Sequence, residues 1–218
     1  MIISHDHRFI FVHVYKTAGT SIMEALEPYA HNPPSWVFWP GIRKLKLHET
    51  SSNARWQCFP KHISAPEVQS RVSDKIFRNY FKFSIVRNPW DWHVSIYHYI
   101  LKWKEHPDHL HVKTLGSFER YVEWMVHQPL SLQGSFALQK DFLYNDFDKC
   151  LVDFVGKFEN LQKDFNFICK KVGIPEVDLP KTNATSHAAY QTYYNDRTRL
   201  MIEKKFEKDI ALWNYAFE

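Results

Sequence analysis

The sequence predicts a single α/β domain whose mostly parallel central sheet is flanked by helices. Three short apolar runs carry this: RFIFVHV at 8–14, FKFSIV at 81–86 and VDFVGKF at 152–158. Each is nearly continuous in apolar residues, as strands buried on both faces are. Each is followed by a turn and then by helical spacing, the alternation that parallel sheets require. Over the whole chain of 218 residues no composition break divides the sequence, so residues 1–218 read as one domain.

The elements follow in order. After the first run comes YKTAGTS (15–21), then SIMEALEPYA, where Ile22, Leu26 and Tyr29 share a helical face until Pro28 weakens the end. Residues 31–60, rich in proline and tryptophan, read as a long irregular loop. KHISAPEVQSRV predicts a turn and a helix with Pro66 in its first turn. The second run closes at Arg87-Asn88-Pro89, and WDWHVSIYHYILKW continues as a helix. Residues 105–116 read as a loop containing His106, His109 and His111, and 117–127 as a helix. ENLQKDFNFICKKVG is amphipathic, with Leu161, Phe165, Ile168 and Val172 on one face and Gly173 at its end. A last helix spans roughly Asp196 to Leu212.

Composition limits the function classes. The chain is 44% hydrophobic and 17% aromatic, enough for a sizeable core and too much for a disordered protein. The net charge of +4 suits an anion pocket but falls short of a dedicated nucleic-acid binder. Cys58, Cys150 and Cys169 are scattered, with no CxxC, and read as ordinary thiols in a reducing compartment. The N-terminal residues lack the basic and long apolar regions of a signal peptide, and no run reaches the ~18 apolar residues that span a membrane. The expectation is a soluble, cytoplasmic protein without membrane or nucleic-acid partners. The histidines of HPDHLH lack partnering cysteines or an HExxH, so they read as solvated loop residues and no metal is expected.

Two segments carry chemistry. In YKTAGTS a turn between strand and helix offers backbone N–H groups and a helix N-terminus to an anion, a P-loop-like arrangement. Gly19 permits close backbone approach, Thr17, Thr20 and Ser21 add hydroxyls, and Lys16 adds a compact charge. It is not a Walker A loop, because the lysine precedes the glycine. In RNPWDWHVS, Arg87 stands at the C-terminal edge of a parallel strand with Ser95 two turns into the next helix. The pair can grip a second phosphate; the alternative is a surface arginine paired with Asp91.

Together, FVHVYKTAGTS and FSIVRNPWDWHVSIYHY resemble the 5′-phosphosulfate loop and the 3′-phosphate segment of the sulfotransferases. The similarity is to the Golgi-type carbohydrate sulfotransferase superfamily and its bacterial relatives. KHISAPEV, VDFVGKFENLQKDF and DIALWNYAF extend it from about residue 8 to the C-terminus. The resemblance implies 3′-phosphoadenosine 5′-phosphosulfate (PAPS) as donor and PAP as product, without metal. It implies that Lys16, Thr17, Ala18, Gly19, Thr20 and Ser21 surround the 5′-phosphosulfate and that Arg87 and Ser95 hold the 3′-phosphate. Asn183, in PKTNATS, lies where a late loop of the family closes over the nucleotide. Three positions depart from the pattern: Tyr15 replaces a proline, Trp92 a common arginine, and Lys157 a frequent arginine.

The implied chemistry is in-line sulfuryl transfer to a hydroxyl on a saccharide or small polar metabolite, which depends on positioning and charge stabilisation. Lys16 is the residue for the leaving oxygen, and His62 in the KHISAPEV segment is the candidate base, with Glu67 and His48 next. Trp36, Trp39, Trp56, Trp90, Trp92 and Trp103 could stack on an acceptor's sugar faces, but aromatics at helical spacing read first as core, which leaves one or two of the loop tryptophans as acceptor contacts. An N-sulfotransferase, a sulfotransferase for lipid or natural-product hydroxyls, and a P-loop nucleotide kinase are the alternatives. A basic RNA- or heparin-binding protein is disfavoured by the mild charge.

Overall fold

The computed structural model describes residues 1–30, 60–132, 136–180 and 188–218. Among these residues four strands form one sheet in the order β1 (Ile2–Ser4), β2 (Phe9–Phe11), β3 (Phe81–Val86) and β4 (Phe154–Lys157). The β2–β3 and β3–β4 pairs are parallel, in registers that set Phe11 against Phe83 and Val86 against Lys157. Their positions are those of the three apolar runs. The added strand β1 pairs antiparallel with β2, Ile3 opposite Ile10. Three residues are too few to show a period, so its sequence gives no strand signal.

Strand alternation sends the apolar residues to two cores. Phe9, Phe11, Phe83 and Ile85 face Ile22 and Leu26 of α1 (Gly19–Leu26) and Phe165 and Ile168 of α7 (Leu161–Val172). The Phe11 and Phe83 rings stack at 5.3 Å. Ile10, Val12 and Val86 belong to the larger core on the other face. That core includes Trp90 and Trp92 of α4 (Pro89–Lys102), Tyr121 of α6 (Phe118–Met125), and Ile202 of α8 (Asp196–Lys205). Burial on both faces is why β2 and β3 read as nearly unbroken apolar runs, whereas β4, last in the strand order, is half-buried apart from Gly156.

Local chemistry sets the helix ends. In α2 (Ala65–Arg71) the Ser64 hydroxyl accepts from the Glu67 N–H, and the Ser64 N–H donates to Glu67 Oε2 at 3.3 Å, a capping box. The short α3 (Asp74–Asn79) starts at Ser73, and α4 at Asn88, whose side chain accepts from Trp90 N–H at 3.1 Å. Gly173 ends α7 in the left-handed region, φ 72°.

Two expectations need correction. Residues 105–116 hold a helix, α5 (His109–Leu115), and not a loop alone. His106 and His109 are buried and not solvated, and His109 Nδ1 donates to the Ile100 carbonyl at 2.9 Å, satisfying the end of α4. His111 is exposed, with its ring 4.7 Å from that of Trp124. The last helix is two: α8 stops at Lys205 and α9 (Glu207–Leu212) begins after Phe206. Phe206 leaves helical geometry (φ −112°, ψ 23°) with its ring buried 4.4 Å from that of His93.

Candidate functional site

The site forms where β2 runs into α1, against the C-terminal edge of β3. Four successive carbonyls of this turn each accept a hydrogen bond from a side chain. The His13 carbonyl is 3.1 Å from His62 Nδ1, and Val14 accepts from Thr17 Oγ1 at 2.7 Å. Tyr15 accepts from Trp92 Nε1 at 2.8 Å and Lys16 from Arg87 Nη1 at 3.2 Å. The loop is thereby tied to α2's leading segment through His62, to α4's leading segment through Arg87, and to α4 itself through Trp92.

Backbone strain is concentrated in the same turn. Lys16 and Ala18 both adopt φ 62°, left-handed positions that cost a non-glycine residue about 1–3 kcal/mol each. Gly19 has an ordinary φ, and what it supplies is space. A Cβ there would stand 1.7 Å from His13 Nε2. The first bond inside α1 runs from Ile22 N–H to Ala18 carbonyl at 3.2 Å. The N–H groups of the preceding residues therefore have no partner within the helix, and donors of this kind are the ones an anion can accept from.

Lys16 is half-buried with its ammonium 4.5 Å from the centre of the Tyr99 ring. Burial, with Arg87, Lys102 and Lys61 adding repulsion, lowers its pKa to about 8. Arg87 is buried and not at the surface, although the pair with Asp91 does form, Nε to Oδ2 at 2.6 Å. Its guanidinium lies 4.0 Å from the Phe158 ring centre. Two of its five N–H donors serve Asp91 and the Lys16 carbonyl, which leaves three. Ser95 is buried on α4, one turn beyond Asp91 and one before Tyr99.

His62 is exposed as a residue, but its ring packs 4.3 Å from His13 and 5.8 Å from Tyr15. A carbonyl only accepts, so the contact with His13 puts hydrogen on Nδ1 and leaves a lone pair on Nε2. Partial burial lowers its pKa to about 4, with Lys61 adding to the fall and the bond to His13 opposing it. The ring is neutral at physiological pH and able to take a proton.

The turn thus gathers Lys16, Thr17, Ala18, Gly19, Thr20, Ser21, Arg87 and His62. The Thr17 hydroxyl donates inward to Val14, so it is spent on the turn. Asn183, His48, Cys58, Trp36, Trp39 and Trp56 lie outside the described residues. Glu67 belongs to the Ser64 capping box. Trp90 and Trp92 are core, while Trp103 is 41% exposed. Among the described residues no group of three or more His, Cys, Asp or Glu could hold a metal ion, and no helix is long and apolar enough to cross a membrane.

The family model described as "Sulfotransferase family" matches residues 1–216. The chain belongs to the sulfotransferase family. A relative, an uncharacterized protein of Archaeoglobus fulgidus, is 34% identical over 111 residues, which cover 50% of this sulfotransferase and 81% of that protein. Two departures from the family pattern have structural work in this sulfotransferase. Trp92 holds the Tyr15 carbonyl, and Lys157 Nζ donates to the Trp213 carbonyl at 2.6 Å beside the Tyr215 ring. Sequence reasoning missed His13, Gln139 and Asp209. The histidine could have been suspected from its place two residues before Tyr15; the other two leave no local signal.

Proposed function

We propose that this sulfotransferase takes the sulfuryl group from PAPS and transfers it to a hydroxyl of a saccharide or small polar metabolite. The observation that carries the reading is the turn whose four carbonyls are tied down by His62, Thr17, Trp92 and Arg87. It joins a candidate base, a lysine and a buried arginine on one short segment. The donor set fits a nucleotide with two anionic groups: one ammonium, three remaining guanidinium donors, the hydroxyls of Thr20, Ser21 and Ser95, and a helix N-terminus.

In this reading Lys16 to Ser21 hold the 5′-phosphosulfate, with Thr17 acting through its main chain. Arg87 and Ser95 hold the 3′-phosphate, and Asn183 is a further donor. PAPS supplies the sulfuryl group. His62 accepts the acceptor's proton at Nε2, and its His13 contact fixes the tautomer that makes this possible. Lys16, protonated below a pKa of about 8, stabilises charge on the departing oxygen. Asp91 holds the Arg87 guanidinium in one orientation, so less side-chain freedom is lost on binding. An amine acceptor would use the same machinery, and the cytoplasm is the proposed location.

Calorimetric binding of PAP, with AMP, ADP and ATP as controls and no metal added, tests the donor. Preference for PAP supports it, followed by transfer from labelled PAPS to candidate acceptors. Preference for ATP would overturn it in favour of a nucleotide kinase.

A further inference from the structure

Arg87 lies just past the last ladder position of β3, where the sheet no longer fixes the backbone. A single side chain takes over that task. The Arg87 N–H donates to Gln139 Oε1 at 2.9 Å, and the Arg87 carbonyl accepts from Gln139 Nε2 at 2.7 Å. A primary amide carries one acceptor and one donor edge, as a peptide unit does, so Gln139 serves as a one-residue strand partner.

Gln139 starts a 3-10 turn at Gln139–Phe142, and that turn is itself held from α9. The Gln139 N–H donates to Asp209 Oδ2 at 2.7 Å and the Lys140 N–H to Asp209 Oδ1 at 3.1 Å. Gln139 and Asp209 are both fully buried, 0% exposed. Withdrawing a carboxylate from water is costly, and among the described residues Asp209 forms no ion pair. Its two oxygens instead fix two successive peptide units and thereby the direction of the Gln139 amide. The carboxylate, the amide and the arginine backbone make an unbroken hydrogen-bonded chain from α9 to the site, across residues 70 and 52 positions apart in sequence.

We propose that Gln139 and Asp209 are positioning residues for Arg87, setting the guanidinium where it reads the 3′-phosphate of the nucleotide. This rests on the donor reading above. Neither residue touches the nucleotide; each acts through the backbone of Arg87. The far side of the guanidinium is already held by Asp91, the Lys16 carbonyl and Phe158. A shift at its root therefore strains all three contacts.

The test uses the full chain with Gln139→Met, which removes both amide bonds at similar volume, and Asp209→Asn, which offers one acceptor to two N–H donors. Two readouts are taken: affinities for PAP and AMP, and solvent exchange of the Arg87 Nε–H by NMR without nucleotide. Both variants should lose about tenfold of the preference for PAP over AMP, about one charge-assisted hydrogen bond. AMP affinity should stay within about twofold, and the Nε–H should exchange faster. If Gln139→Met does not fold, Asp209→Asn supplies both readouts. Wild-type protein that binds PAP no better than AMP would count against the donor reading, and the exchange measurement then decides the relay by itself. Unchanged Nε–H exchange in the folded variants, or equal losses of PAP and AMP affinity, would overturn it.

Discussion

Gly19→Ala isolates the close approach on which the turn depends. Gly19 does not sit at positive φ, so alanine meets no backbone penalty there. Its Cβ would stand 1.7 Å from His13 Nε2 and 2.0 Å from Cδ2, half or little more than half the 3.4 Å of an ordinary contact. The ring has little room to yield. His13 is 3% exposed, with Phe11 stacked 5.6 Å away on one side and His62 4.3 Å away on another. Overpacking of this kind costs about 1–3 kcal/mol, whereas the gain in helix propensity from Gly to Ala is at most about 1 kcal/mol. A contact as short as 1.7 Å belongs in the upper part of that range, so about 1–2 kcal/mol remains after the propensity gain; at roughly 2–4 °C per kcal/mol in a chain of this size, Tm should fall by about 2–8 °C. The assay is a double-mutant cycle with His13→Ala, followed by urea unfolding. Without the imidazole, alanine at 19 should be neutral or stabilising, giving a coupling of about 1–3 kcal/mol. Additive costs, within about 0.5 kcal/mol, would refute the steric argument.

Three further outcomes are expected. His62→Ala should keep PAP affinity while transfer falls about 10²–10⁴-fold. Because the ring is a base only when neutral and its pKa is lowered to about 4, the acid limb of kcat/KM should lie near pH 4; a limb at the ordinary imidazole value would remove His62 from the role. Lys16→Ala should mainly lower turnover and Arg87→Ala mainly weaken PAP binding, and equal losses of PAP affinity contradict that division. In the wild type, kcat/KM should decline above about pH 8 as Lys16 gives up its proton. Asp153→Ala should destabilise the fold by about 1–3 kcal/mol in urea, because it strands the Lys82 ammonium, 2.8 Å from Asp153 and only 8% exposed as a side chain. A change below about 0.5 kcal/mol would show that the Tyr80 carbonyl, 2.8 Å from Nζ, suffices.

The three parallel strands and most helices were legible because their signals are local. Apolar runs mark strands packed within the sheet, Pro66 marks the first turn of a helix, and Gly173 marks an end. Strand β1 was not legible, since three residues carry no period. Helix α5 was hidden because the histidines of HPDHLH look polar, yet His106 and His109 are buried where the chain folds back on the end of α4, a reversal that carries no apolar period. The break at Phe206 follows from the burial of one ring against His93 and not from any helix-breaking residue.

The sequence by itself determined the α/β class, membership in the sulfotransferase family, and the turn and strand end where Lys16 and Arg87 lie. Each of these rests on residues close together in the chain. Only the tertiary structure decided how those residues are held. It puts the left-handed backbone on Lys16 and Ala18 and gives Gly19 the task of clearing His13. It turns the Thr17 hydroxyl inward and seats Arg87 on an amide anchored by Asp209. Hydrogen bonds between positions 49 to 71 residues apart exist only once the two cores have closed, which is why the motifs announce the site and the packing sets its geometry.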